Sequence, residues 1–106
     1  MSEIIDLVRA AARIRILFLP HAVRQMSRPD RIITVEDVRN CIFLGEVIED
    51  YPEDARGHSC LLLGPPDSGR PIHVVCSPKD EYLSIITAYQ PDPKEWENNW
   101  KTRRPS

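Results

Sequence analysis

Four side chains of types that move protons or grip phosphate stand out: His21 and Arg24, close together near the start, and His73 and Tyr89 far downstream. Histidine titrates near neutrality, tyrosine both donates and accepts a hydrogen bond, and arginine forks onto an oxyanion. A base or acid so placed contributes about 10²–10⁴ in rate as a proton-transfer partner. Arg28, Arg56 and Arg70 would add bidentate phosphate contacts of a kind lysine makes less well. The same residue types serve equally as hydrogen-bonded anchors in a packed fold, and loop arginines are ordinarily solvated. Both readings stand at this point.

Other constellations point to weaker chemistry. His58 and Cys60, two residues apart, share a strand face and with His73 or Cys76 would form a zinc donor set, but the chain has no paired CxxC or HxxxH spacing. No metal and no cofactor is therefore expected. Cys41, Cys60 and Cys76 are odd in number and widely spaced, which reads as reduced, buried thiols. Trp96 and Trp100, one helical turn apart, would stack bases, fill a partner's pocket or simply join the core.

These residues must be positioned by one small domain. At 106 residues a second core would leave each half too small to bury enough apolar surface. The hydrophobic share of 42% and charged share of 28% are those of a globular protein. No apolar run approaches the roughly 20 residues that span a bilayer, and the first residues are acidic where a secretory signal is basic, so a cytoplasmic location without membrane contact is expected. The net charge of −2 conceals a segregation. Residues 1–31 carry six Arg against three acids, residues 36–54 one Arg against seven acids, and the remainder seven bases against six acids. Such asymmetry suits an anionic partner on one face, a basic partner on another, or self-association.

The periodicity predicts a helix from Ser2 to about Arg13, with Ile4, Val8 and Ala11 on its apolar stripe. A short strand over residues 13–19 follows, with continuation of the first helix as the competing reading, then a second helix from Pro20 that places His21, Arg24 and Arg28 on one face. A third helix is capped by Thr34, buries Val35, Val38, Cys41 and Ile42, and ends at Gly45 as a left-handed terminator. Four β-rich runs, around residues 47–48, 60–63, 72–76 and 83–89, have connections too short for parallel crossovers and form an antiparallel meander. Asp92-Pro93-Lys94-Glu95 predicts a closing helix carrying both tryptophans.

Four phrases in order carry a resemblance: His21-Ala22-Val23-Arg24-Gln25-Met26, Gly45-Glu46-Val47-Ile48-Glu49-Asp50-Tyr51-Pro52, Arg70-Pro71-Ile72-His73-Val74-Val75, and Ile85-Ile86-Thr87-Ala88-Tyr89-Gln90-Pro91-Asp92-Pro93. Together they closely resemble the bacterial family known as domain of unknown function 4258, whose members look similar to RelE/ParE-type toxins. The resemblance covers roughly residues 14–100, and the elements read above make residues 1–100 one α+β domain whose order resembles that toxin architecture: an N-terminal helix, a short strand, two helices, a four-stranded antiparallel meander and a C-terminal helix. Residues 101–106 read as a disordered basic tail. Toxins of the ribonuclease kind work without metal, through polar side chains on a concave sheet face. His21, Arg24, His73 and Tyr89 are the positions that would supply that set, with Arg28, Arg56 and Arg70 on the substrate.

Two functional expectations follow. One is a metal-independent ribonuclease or RNA-binding protein of the toxin type, with an antitoxin-like protein or a second copy of the chain as partner. The other is a non-catalytic interaction module using the acidic residues 36–54 or the Trp96/Trp100 helix. Ribonuclease toxins are strongly basic whereas this chain has a pI near 5.9, so local patches must do what the net charge does not.

Overall fold

Helix α1 (Ile4–Ile14) opens the computed structural model, which describes residues 3–65 and 69–105. Its first turn is closed by a capping box between Glu3 and Asp6, and Ile4, Val8, Ala11 and Ala12 form the buried stripe. Arg9, on the flank of that stripe, donates to the carbonyls of Ile42 at 3.0 Å and Gly45 at 3.1 Å. It thereby satisfies groups at the C-terminal end of another helix, which carries no basic residue in its own last turn.

Strand β1 (Ile16–Phe18) leads directly to α2 (Pro20–Met26), with Pro20 in the first helical turn. Helix α2 ends at Ser27, so His21 and Arg24 are helical while Arg28 lies beyond the end, off the expected face. Helix α3 (Val35–Leu44) begins as its sequence dictates: Thr34 Oγ1 accepts from Asp37 N–H at 3.0 Å, and the Asp37 carboxylate accepts from Thr34 N–H at 2.9 Å. Val38, Cys41 and Ile42 are buried, but Val35, expected on the same stripe, is 54% exposed.

Gly45 ends this helix in an extended conformation, φ −85°, rather than the left-handed one expected. The need for glycine there is one of space. A Cβ would lie 2.3 Å from the Leu63 carbonyl oxygen and 2.4 Å from that of Cys41, and both are backbone atoms that cannot move aside cheaply.

Strands β2 (Glu46–Tyr51), β3 (Ser59–Leu63), β4 (His73–Pro78) and β5 (Leu83–Tyr89) run antiparallel to their sequence neighbours. The sheet nonetheless has five strands, in the order β1-β5-β4-β3-β2, because β1 joins its edge parallel to β5. Leu83 N–H donates to the Arg15 carbonyl at 2.8 Å and Leu19 N–H to that of Ile85 at 3.1 Å, fixing Leu17 opposite Ser84. This overturns the four-stranded antiparallel meander. Short connections exclude parallel pairing only between consecutive strands, and β1 meets a partner at the far end of the chain, with α2, α3 and three strands as its crossover.

The expected C-terminal helix is also absent from the described residues. Asp92 and Pro93 start one turn, in which Glu95 and Trp96 N–H donate to the Asp92 carbonyl at 2.9 and 3.1 Å. Asn99 then captures the N–H groups of Lys101 and Thr102 at 2.9 and 3.1 Å, and Trp100 takes φ 62°. Asparagine competing for backbone donors stops the helix there. The chain turns instead into a hairpin, with Trp96 bridged to Arg103.

One sheet face packs Cys60, Leu62, Val74, Cys76, Leu83, Ile85 and Ala88 against Val8, Ala11, Ala22, Val38, Cys41 and Ile42 of the helices. Leu61 and Leu63 alternate with that set and are buried as well, so the opposite face is covered too. The hairpin after β5 reaches that face, and its Trp96 is 2% exposed. No helix among the described residues is long and apolar enough to cross a membrane.

Candidate functional site

His73 at the start of β4 and Tyr89 at the end of β5 stand directly opposite in the antiparallel register, so their side chains share one face. The rings meet edge to face, 5.3 Å between centroids, and Trp96 approaches the imidazole edge-on at 4.5 Å. His73 is fully buried. Its tautomer follows from its partners. The Trp100 carbonyl, 2.8 Å from Nε2, can only accept, so Nε2 carries the proton. Nδ1 is then a lone pair that accepts from the Tyr89 hydroxyl at 3.3 Å.

Burial holds the His73 pKa below its ordinary 6.5, although the Trp100 carbonyl and the charge of Glu49 pull upward; Arg103 adds to the lowering. Burial likewise lifts the Tyr89 phenol above its ordinary 10. At neutral pH this is an uncharged donor–acceptor pair. Tyr89 presents the remaining lone pair of its hydroxyl rather than a phenolate.

A second group of polar residues completes the face. Glu49 and Tyr51, two apart on β2, point the same way. Arg103 from the hairpin forks onto the Glu49 carboxylate at 2.9 and 3.0 Å, and the Tyr51 hydroxyl donates to the same carboxylate. The guanidinium also lies 4.6 Å from the Trp96 ring centroid, so one cation joins the carboxylate to the indole. Arg103 holds the Glu49 pKa below the usual carboxylate value, and burial with the neighbouring carboxylate pushes Tyr51 up to about 12.

Of the four catalytic candidates, His73 and Tyr89 are brought together. His21 and Arg24 are exposed on α2 and, among the described residues, bond to neither. Arg28 comes nearer: a small cleft of about 20 Å³ is lined by Gln25, Arg28, Arg31, Ile33, Tyr89 and Gln90. Tyr89, which meets His73, thus also lines a cleft shared with two arginines. Arg56 forks onto Asp54 at 3.1 and 2.9 Å, and Arg70 binds the Ile32 carbonyl at 2.7 Å and Asp37 at 2.9 Å, each on a separate loop. Cys60 and Cys76 face one another inside the helix-side core, apart from His58, which pairs with Asp50 at 2.5 Å. Burial pushes the Cys41 thiol up to about 12, so it is held as an inert thiol.

Sequence reasoning passed over Glu49, Tyr51 and Arg103. The spacing of Glu49 and Tyr51 on a strand was a usable signal, since positions two apart share a face. Nothing local marked Arg103.

What fold and site define is an α+β domain with a helix-covered sheet, a polar cluster built around a buried His73 on the other face, and exposed arginines at α2. Residues 18–90 match the family described as a domain of unknown function, DUF4258, and the chain belongs to that family. The chain matches no curated protein and no solved structure.

Proposed function

We propose that the domain binds a phosphate-bearing polymer, single-stranded RNA in the first instance, along the α2 flank and without turning it over in the closed conformation. The observation that carries this is the distribution of charge left after ion pairing. In the acidic segment Asp37 is paired with Arg70, Glu46 with Lys101, Glu49 with Arg103 and Asp54 with Arg56. On the other side Arg15 and Arg24 are exposed and have no ion pair among the described residues, while Arg28 and Arg31 share the single carboxylate of Asp30 at 3.8 and 3.6 Å. A chain of net charge −2 therefore keeps cationic side chains on and just after α2, and two of them, Arg28 and Arg31, line the cleft at Tyr89.

Titrating a labelled single-stranded RNA against rising salt tests the proposal. Affinity falls on a log–log slope of about 0.7 per neutralised phosphate, and Arg24→Ala and Arg28→Ala each make it shallower by about that amount. No retention at low salt removes nucleic acid from the partners.

A second reading, ribonuclease activity of the kind found in RelE/ParE toxins, draws on one observation: His73 and Tyr89 form a pair with a defined tautomer beside Arg28. It requires a change that admits substrate to His73. Chelator-resistant RNA cleavage lost on His73→Gln but not on Glu36→Gln supports it, and intact RNA after prolonged incubation with the wild-type chain removes it.

A further inference from the structure

Trp100 is held in a backbone conformation that its own side chain resists. Among the described residues it alone, glycines apart, has a positive φ, 62°, and a bulky side chain in that region crowds the neighbouring backbone. The turn delivers the Trp100 carbonyl to the His73 ring at 2.8 Å. That bond uses only main-chain atoms, and glycine would make it without strain. What is retained against the strain is the indole. It is half-buried, and among the described residues no second ring, no cation and no acceptor for its N–H meets it, whereas Trp96 is held by both His73 and Arg103.

The indole lines a cleft of about 430 Å³ between the hairpin and the β3–β4 connection, a volume within the range of small-molecule sites. Leu63, Pro65 and Pro71 add apolar wall, and Asn98 lines it with a side-chain amide that has no partner among the described residues. Arg70 and Lys101 bring two cations to the cleft against the one carboxylate of Glu46. Both are already engaged, Arg70 with Asp37 and the Ile32 carbonyl, Lys101 with Glu46. Ion pairs as exposed as these contribute little, so an entering phosphate can share the cations. Arg70 also ties the cleft to the arginines after α2. The carbonyl it binds belongs to the residue next to Arg31, which lines the Tyr89 cleft with Arg28.

We propose that this cleft seats one unpaired base of the bound RNA, stacked on Trp100, with the adjoining phosphate shared by Arg70 and Lys101 and the base edge met by the Asn98 amide. The inference rests on the RNA reading and adds the place where a base, rather than the sugar–phosphate chain, is held. A nucleotide presents a π-face, a polar edge and an anion, and the cleft answers each: an indole, an amide that both donates and accepts, and two cations. Bases stacked inside an A-form duplex offer no free face, so the cleft selects single strands.

A short labelled RNA, single-stranded and as the duplex of the same sequence, tests this in titrations of the full chain and of Trp100→Gly. Glycine suits the positive φ and keeps the carbonyl bond to His73, so the variant removes the ring alone. Single-strand affinity is expected to fall about 5- to 150-fold, the factor for one stacked base, while duplex affinity stays as in the wild type. The salt slope is expected to stay unchanged as well, because no phosphate contact is lost. Unchanged single-strand affinity, or an equal loss for the duplex, overturns the stacking site and leaves the RNA reading in place. No retention of RNA by the wild-type chain removes both. Should Trp100→Gly not fold, acrylamide quenching of the wild-type chain decides, since Trp96 is 2% exposed and the accessible indole is Trp100. Protection by the single strand and none by the duplex supports the site, and quenching unaltered by bound single strand overturns it.

Discussion

Replacing His73 by alanine should weaken the fold far more than its single ring suggests. The imidazole is fully buried and serves two groups at once, donating to the Trp100 carbonyl at 2.8 Å and accepting from Tyr89 at 3.3 Å. A buried polar group left without a partner costs about 1–3 kcal/mol. The carbonyl falls within that range, while the half-buried Tyr89 hydroxyl can turn to water and falls at the low end. Loss of the ring opens a void between Trp96 and Tyr89, and at about 24 cal/mol per Å³ a void on the order of 60 Å³ adds about 1.5 kcal/mol. The expected total is about 3–5 kcal/mol, a large part of the 5–15 kcal/mol typical of a domain. Urea denaturation at pH 7.5, followed by circular dichroism, measures it as a lower midpoint at unchanged slope. His73→Gln, whose amide can still donate to the carbonyl, should recover part of the loss. Exposed His21 provides the control, with His21→Ala expected within about 0.5 kcal/mol of wild type. A cost for His73→Ala below about 1 kcal/mol, or equal to that of His21→Ala, would refute the reasoning.

Acid should loosen the hairpin side of the sheet: the folded pKa values of His73 and Glu49 lie below 6.5 and 4.5 respectively, so the folded state binds fewer protons than the unfolded one. The stability they contribute is complete above about pH 6.5 and is lost as pH falls through the folded values; a melting-temperature series from pH 7.5 to 4 should show this, with the His73 share of the fall missing in His73→Gln. Thr34→Ala removes the cap of α3 and should cost about 1 kcal/mol. Asp37→Ala should cost more in the same urea assay, because its carboxylate holds both Thr34 N–H and Arg70, and equal costs would mean the Arg70 contact contributes nothing. Gly45→Ala should cost about 2 kcal/mol or more from crowding against two backbone carbonyls; a neutral result would mean α3 and β3 separate there freely.

What could be read from the residues was whatever is decided locally. The Thr34 capping box, the proline opening α2 and the β-rich runs of β3, β4 and β5 each follow from side chains within one turn or one strand of where they act. The pairing of His73 with Tyr89 is not of this kind. The turn between β4 and β5 sets a register that would put His73 opposite Ala88, and an irregularity between Val75 and Cys76 shifts it by one residue to bring Tyr89 there, which nothing in the sequence announces. The errors fall where a partner comes from far along the chain. Residues 16–18 look like any short apolar run, and nothing within them says that the other half of their ladder lies at residues 83–85. Gly45 was given the commonest reason for a glycine after a helix, whereas its actual constraint is the Leu63 carbonyl arriving from β3.

The hairpin after β5 is the instructive failure, because its local signals were sound and still lost. Asp92, Pro93 and Glu95 do begin a helical turn, and the i, i+4 spacing of Trp96 and Trp100 suits a helix. What outweighs them is a sum of separate attractions. Asn99 takes two backbone N–H groups, the strands offer Trp96 a slot beside His73, and Glu49 offers Arg103 a bidentate partner that a helix continuing past Trp100 would carry elsewhere. A short solvent-exposed helix is marginal by itself, so a few such contacts suffice to replace it. The same replacement seals His73. Two tryptophans expected to carry a helix against the domain thus become, with one arginine from a segment read as a loose tail, the cover that buries His73 against the half-buried Tyr89 as an uncharged pair.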